Sequence, residues 1–106
     1  MKMVRVTLIC AVGMSTSMLV KKMKEAAEKK GIDAEIRAVA ENKFEEYADK
    51  TDVLLLGPQV GYMLSKFKQK YEPKGIAVDV INSIDYGMMN GEKVLNTALK
   101  MAEKNK

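Results

Sequence analysis

Short strand-like segments alternate regularly with longer helix-like ones along this chain, and few folds accommodate such an alternation. Residues 4–10 are rich in β-branched side chains, and Val53–Leu56 is continuously apolar, as expected of a strand buried on both faces. Residues 34–40 alternate polar and apolar side chains, and residues 76–81 carry a central Asp79, so these two strands are predicted at the edges of a sheet. Strands separated by helices indicate right-handed βαβ units and therefore a parallel sheet.

Helix-like stripes of apolar residues fill the intervals between these strands. The spacing predicts a helix over 15–30, a helical turn around 44–48, a helix opened by Pro58, and a last helix over 92–103. The expected fold is α/β: a single domain over residues 1–106, with a four-stranded parallel sheet in the order 2-1-3-4 and helices on both faces. In the first helix the residues expected to face the core are Met18, Leu19, Met23, Ala26 and Ala27.

The composition narrows the class of protein. The chain has 106 residues, of which 47% are apolar and 30% charged, so it can bury one core. No apolar run approaches the roughly 20 residues of a membrane span, and the start lacks the long apolar region of a signal peptide. A cytoplasmic protein is therefore expected. Positive charge is dispersed among acidic residues and aromatic residues are few, so no nucleic-acid partner is expected.

Two absences from the sequence exclude whole types of chemistry. The chain contains no His, so Ser–His and Cys–His nucleophile pairs cannot form within it. The single Cys excludes an internal disulfide and, in the absence of His, a Cys/His zinc site. We expect neither a metal nor another cofactor, and one unpaired thiol is typical of a reducing compartment.

The single thiol, Cys10, ends the first predicted strand. In sheets of this type, ligands bind beyond the carboxyl ends of the strands, where the strand order reverses. The following helix presents unpaired N–H groups and its positive dipole end there, which attract anions and lower the pKa of a nearby thiol. Cys10 is therefore a candidate nucleophile. The alternative is an inert, buried residue at a strand end.

Small or hydroxylated residues connect Cys10 to the helix. Gly13 allows the backbone to approach a ligand closely, and the hydroxyls of residues 15–17 add hydrogen-bond donors. One of these hydroxyls can instead cap the helix N-terminus, and both roles can coexist. The predicted phosphate-binding loop comprises Ala11, Val12, Gly13, Met14, Ser15, Thr16 and Ser17.

The loop resembles that of the low-molecular-weight tyrosine phosphatases, which carry Cys-x5-Arg-Ser after their first strand. Here Thr16 occupies the position of their Arg and Ser17 that of their Ser. An Asp next to Pro, which supplies the acid in those enzymes, is also not evident, since the two prolines lie in Gly57-Pro58-Gln59 and Glu72-Pro73-Lys74. A cradle that lacks the guanidinium and the acid is expected to hold a phosphocysteine rather than hydrolyse it. A hydrolase of this phosphatase type remains the alternative.

The chain more closely resembles the IIB component of the sugar phosphotransferase system, lactose/cellobiose (chitobiose) family. The resemblance rests on three segments: LICAVGMSTS at 8–17, VLLLGPQVGYM at 53–63 and DYGMMNG at 85–91. It implies that Cys10 accepts a phosphoryl group from a phosphohistidine of the IIA protein. It also implies that Cys10 passes the group to a sugar, such as a β-linked disaccharide, bound to the membrane IIC transporter. The IIB chain would then be cytoplasmic and dock peripherally on IIC.

A second group of residues forms a possible partner surface. In Gly57-Pro58-Gln59, Gln59 is a candidate hydrogen-bond donor to the phosphoryl group or to IIA, although the segment is equally well explained as a strand-to-helix turn. Tyr62 and Tyr86 are expected to fill the rim of the core, with partner contact as the alternative. The nine methionines are expected to be core filler, except Met14, which the resemblance makes a candidate contact for IIA or IIC.

Overall fold

The computed structural model describes the backbone of residues 3–9 and 13–104, and the side chains of residues 3–9 and 18–103. Its strands are β1 (Val4–Ile9), β2 (Ala34–Val39), β3 (Val53–Leu56) and β4 (Ala77–Val80). All pairs are parallel, in the order β2-β1-β3-β4. The predicted sheet and its edge strands are confirmed, although β2 ends one residue earlier than predicted and β4 is shorter by one residue at each end.

Helices cover both faces of the sheet, as predicted. They are α1 (Gly13–Lys30), α2 (Phe44–Tyr47), α3 (Leu64–Tyr71), α4 (Ser83–Gly87) and α5 (Gly91–Lys104). Short 3₁₀ turns flank α2 and α3 at Glu41–Lys43, Ala48–Lys50, Pro58–Met63 and Glu72–Lys74. Gly31 ends α1 with φ 67°, which confirms the predicted left-handed cap.

The side chains of β3 divide the core into two clusters. Val53 and Leu55 pack with residues of α1 and α5 on one face, whereas Leu54 and Leu56 pack with residues of α2 and α3 on the other. All four are fully buried, as the continuous apolar run predicted. The central strand therefore fixes the sheet between its two helical layers, and its carboxyl end has a defined position.

Several side chains expected in the core or at its rim are exposed. Met18 is 54% exposed because it lies one residue, or about 100° around the helix, from the buried Leu19. Tyr62 is 83% exposed on the Pro58–Met63 turn. Met3 and Met88 are also exposed, so the expectation that the methionines are core filler is wrong for three of them.

A buried hydroxyl pair joins the sheet to the turn before β3. Thr51 donates to the Tyr47 carbonyl at 2.8 Å, so its only proton is used, and Thr7 must donate the 2.8 Å bond between the two hydroxyls. Thr51→Val is expected to cost about 2–3 kcal/mol, because it leaves the Thr7 hydroxyl buried without an acceptor. Thr7→Val is expected to cost only about 1 kcal/mol.

Urea unfolding of both variants measures this difference. Thr97→Val is the matched control, since that hydroxyl bonds a carbonyl of its own exposed helix, and its effect should stay within about 0.5 kcal/mol. Equal losses for Thr7→Val and Thr51→Val would contradict the assigned direction of the bond.

Candidate functional site

The central strands end in register at one edge of the sheet. Ile9 pairs with Leu56, and Leu56 pairs with Val80. Beyond them, Gly57 N–H donates to the Ile9 carbonyl at 2.8 Å, and Ile81 N–H donates to the Leu56 carbonyl at 2.8 Å. The segments that follow β1, β3 and β4 therefore leave the sheet side by side, which brings together the regions that the sequence singled out.

The predicted nucleophile and part of its loop lie outside the described residues. These are Cys10, Ala11 and Val12. From Gly13 to Ser17 the backbone is helical and forms the start of α1, two residues earlier than predicted. Because the first turn of a helix has N–H groups without intrahelical acceptors, α1 directs donors towards the end of β1. The side chains of this turn lie outside the described ones, so a phosphate-binding role remains a prediction for Met14, Ser15, Thr16 and Ser17.

The segment after β3 turns sharply back over the sheet. Pro58 occupies the start of the 3₁₀ turn, where its missing N–H is no loss, and Val60 departs from helical geometry with φ −116° and ψ 20°. A Cβ at Gly61 would lie 3.6 Å from a methyl carbon of Val80, in ordinary contact. This path buries Gly57 and leaves the Gln59 side chain exposed at the sheet edge.

The helix α4 was not predicted from the sequence, and it places a second predicted residue at this edge. Asn82 caps α4 by accepting from Ile84 N–H at 2.9 Å and Asp85 N–H at 3.2 Å. Tyr86 is only 8% exposed, and its hydroxyl accepts a hydrogen bond of 3.3 Å from Gln59 Nε2. The prediction that Tyr86 fills the core rim is confirmed. The fold thus joins Gln59 and Tyr86, which the sequence had named separately.

Exposed apolar side chains surround the carboxyl edge of the sheet. They occur on the segments that follow β1, β3 and β4, and we call them the apolar rim: Met18, Tyr62, Ile84 and Met88. Met89, the next residue, has φ 55° and packs against the core, so the backbone there turns Met88 outward. Sequence reasoning missed Ile84, because it lies on a helix too short to show an apolar period.

The acidic side chain that precedes the central strand β3 has a structural partner. Asp52, just before β3, accepts from the backbone N–H of Arg5 at 2.8 Å and from its guanidinium at 3.1 Å. The hydrogen bond to Asp52 raises the pKa of Arg5 above its ordinary value. This pair lies at the amino edge of the sheet, away from the crevice, so Asp52 has a structural role. Among the described residues, no three His, Cys, Asp or Glu side chains are grouped as a metal site would require.

Known proteins match this chain along most of its length. Residues 5–97 match the family described as the PTS system, lactose/cellobiose-specific IIB subunit. The chain is 47% identical to the galactose-specific EIIB component of Lactococcus lactis subsp. cremoris (strain MG1363), with 88% of this chain and 91% of the relative covered. It is 41% identical to the oligo-beta-mannoside-specific EIIB component of Bacillus subtilis (strain 168), with 93% and 96% covered.

Solved structures share the fold. The cellobiose-specific phosphotransferase IIB component of Borrelia burgdorferi superposes with a TM-score of 0.82 at 42% identity, covering 99% of this chain and 96% of that one. The YwlE mutant of Bacillus subtilis gives a TM-score of 0.52 at 12% identity over 93% of each chain, a likeness of fold alone. Because the family match spans residues 5–97 and the relatives align over nearly their full length, this chain belongs to the lactose/cellobiose-specific IIB family of the sugar phosphotransferase system.

Proposed function

We propose that Cys10 carries the phosphoryl group that this IIB protein transfers. The observation that carries the proposal is the 2.8 Å hydrogen bond from Gly57 N–H to the Ile9 carbonyl. It holds the residue before Cys10 at the carboxyl edge of the sheet, and α1 begins with Gly13, close after Cys10. A thiolate at this point would lie where free N–H groups favour an anion. Membership of the family supports phosphoryl transfer as the reaction.

The proposed reaction has two transfer steps. The Cys10 thiolate attacks the phosphorus of a phosphohistidine and an S–P bond forms; the P–N bond breaks, and the leaving imidazole takes up a proton from solvent. A sugar hydroxyl then attacks the same phosphorus and releases its proton to solvent, the S–P bond breaks, and the thiolate is restored. Backbone N–H groups between Ala11 and Ser17 hold the phosphoryl oxygens, so catalysis depends on positioning and needs no metal.

The proposed donor is the phosphohistidine of a IIA protein, and the proposed acceptor is a sugar bound to the membrane IIC transporter. The relatives are named for galactose, cellobiose and oligo-beta-mannoside, so we place the sugar among galactosides and β-linked disaccharides such as cellobiose, chitobiose or lactose. No helix of the described residues is both long and apolar enough to cross a membrane. The chain would act in the cytoplasm and dock on IIC from that side.

The apolar rim is the proposed contact surface for IIA and IIC. Its residues lie on the segments that follow β1, β3 and β4, and exposed apolar side chains that share one region of a surface mark interaction sites. Tyr62 is the most exposed of them and belongs to the partner surface that the sequence predicted. Gly57 and Tyr86 are buried and contribute chiefly by supporting the exposed neighbours.

Met88→Lys is expected to weaken IIA binding about tenfold or more, because the complex would bury this exposed Met side chain, and a lysine there would have to lose the hydration of its charge. Titration calorimetry with purified IIA measures the affinity. Met3→Lys is the matched control: Met3 is also exposed, but it precedes β1 at the opposite edge of the sheet. A larger loss for Met3→Lys than for Met88→Lys would refute the assignment of the docking face.

The proposal is tested by mixing the chain with IIA that carries ³²P on its phosphohistidine. We expect label on this protein, and peptide mapping should locate it on the fragment that contains Cys10. Label on a fragment that lacks Cys10 would show that the carrier is another residue, and alkylation of the thiol should prevent labelling of the fragment that contains it.

A further inference from the structure

The Gln59–Tyr86 hydrogen bond crosses the edge of the sheet at which Cys10 follows β1. Tyr86 belongs to the core cluster on the face of α1 and α5, whereas Val60, next to Gln59, belongs to the cluster on the opposite face. The 3.3 Å bond between Gln59 Nε2 and the Tyr86 hydroxyl therefore spans the carboxyl end of β3. One partner is exposed and the other is buried, so the exposed amide is held by an anchored group.

Tyr86 is a firm anchor. Its N–H donates to the Asn82 carbonyl at 2.9 Å, and its carbonyl accepts from Met89 N–H at 3.2 Å. Asn82 in turn caps the helix with its side chain. The Tyr86 ring is buried in the core cluster that includes residues of β3 and α5, so its hydroxyl has little freedom to move, and a side chain bonded to it loses much of its rotational freedom.

Gln59 keeps one donor for another group. The amide nitrogen carries two N–H bonds, and the bond to Tyr86 uses one of them. The Gln59 side chain makes no other hydrogen bond to a residue that the structure describes. Gly57, two residues earlier, is bonded to Ile9, which immediately precedes Cys10. Gln59 and Cys10 therefore follow the carboxyl ends of two paired strands, β3 and β1, so the second N–H belongs to the segment next to the one that carries the proposed nucleophile.

We propose that Gln59 donates its second N–H to the phosphoryl group on Cys10, and that Tyr86 is a positioning residue that acts through Gln59. This inference rests on the function proposed above. Hydrogen bonds to a charged acceptor are stronger than those between neutral groups, so Gln59 stabilises the phosphoryl group most in its dianionic form. The neutral amide leaves no fixed positive charge in the crevice after the group has moved on.

The test uses ³¹P NMR of the full-length protein phosphorylated by IIA. Gln59→Leu and Tyr86→Phe are each expected to raise the pH midpoint of the second phosphoryl ionisation by about half to one pH unit, because a bond that favours the dianion is lost. Phosphoryl transfer should slow about tenfold for Gln59→Leu and about threefold or more for Tyr86→Phe. The double variant should be no slower than Gln59→Leu alone.

Matched controls separate this role from a general loss of stability. Gln69→Leu removes an exposed amide on α3, and Tyr71→Phe removes a hydroxyl from a buried ring on the other face. Both should keep the wild-type midpoint. An unchanged midpoint in Gln59→Leu would overturn the contact, and additive effects in the double variant would overturn the positioning role. If the wild-type chain takes no phosphate on Cys10, the proposed function fails, and this inference fails with it.

Discussion

Cys10→Ser is expected to abolish transfer of phosphoryl groups from IIA to this protein, with a loss on the order of a thousandfold or more. A serine hydroxyl retains its proton at neutral pH, whereas a thiol at a helix N-terminus ionises readily. The chain has no His that could act as a base for the hydroxyl. Serine differs from cysteine by one atom and is the smaller residue, so it introduces no clash, and the variant tests the chemistry of the thiol.

The measurement is the rate of ³²P transfer from labelled IIA, followed by the rate of sugar phosphorylation with membranes that contain IIC. Ser65→Ala, an exposed position on α3, is the control and should transfer at the wild-type rate. Because Cys10 is the single thiol of the chain, alkylation of the wild-type protein with iodoacetamide should reproduce the loss. Transfer at the wild-type rate by Cys10→Ser would exclude Cys10 as the carrier.

The strand order of the sheet could be predicted from the sequence because the side chains of β3 can only be buried if the strand has helices on both faces and a strand on each side. Four consecutive apolar residues must be buried on both faces, which puts the strand at the centre, and the polar positions of β2 and β4 put those strands at the edges. The switch point follows from the strand order without knowledge of any side-chain contact. The predicted strand order was therefore sufficient to locate the crevice, although it did not identify the side chains that line it.

The residues that line the crevice are set by tertiary contacts, which the spacing of apolar residues in the sequence does not predict. The helix α4 has five residues, too few to show a 3.6-residue period, and its signal was the capping residue Asn82. Tyr62 and Met18 are apolar residues on helical turns, yet they face solvent because the core stripe passes beside them. The Gln59–Tyr86 bond joins residues that are 27 positions apart, and only the tertiary fold brings them together.

The residue at position 16 is the basis for predicting a phosphoryl carrier rather than a phosphatase, because this chain has Thr16 where the phosphatases have Arg. An Arg at that position would stabilise the charge of a phosphatase transition state, and a neutral hydroxyl does so less. The side chain of Thr16 lies outside the described ones, so its role stays a prediction. Membership of the IIB family agrees with a protein whose reaction ends on a sugar rather than on water.

Gly91→Ala is expected to destabilise the protein by about 1–3 kcal/mol or more, although alanine normally favours a helix over glycine. A Cβ at Gly91 would lie 2.5 Å from the carbonyl carbon of Lys22 and 2.6 Å from the nitrogen of Met23. Both atoms are backbone of α1, so no side-chain rotation can relieve the clash. The start of α5 and the middle of α1 would have to move apart, and the buried contact between the two helices would open.

Thermal unfolding measures this effect. In a domain of this size each 1 kcal/mol of lost stability lowers the melting temperature by about 4 °C or more, so a fall of at least about 4 °C is expected. Gly87→Ala is the control, because a Cβ there meets no atom within 4 Å, so that variant should be as stable as the wild type or slightly more so. A displaced α1 would also move the N-terminal turn that follows Cys10, so Gly91→Ala should slow phosphoryl transfer as well. If instead the two variants proved equally stable and active, the close approach of α5 to α1 would not be a requirement of this fold.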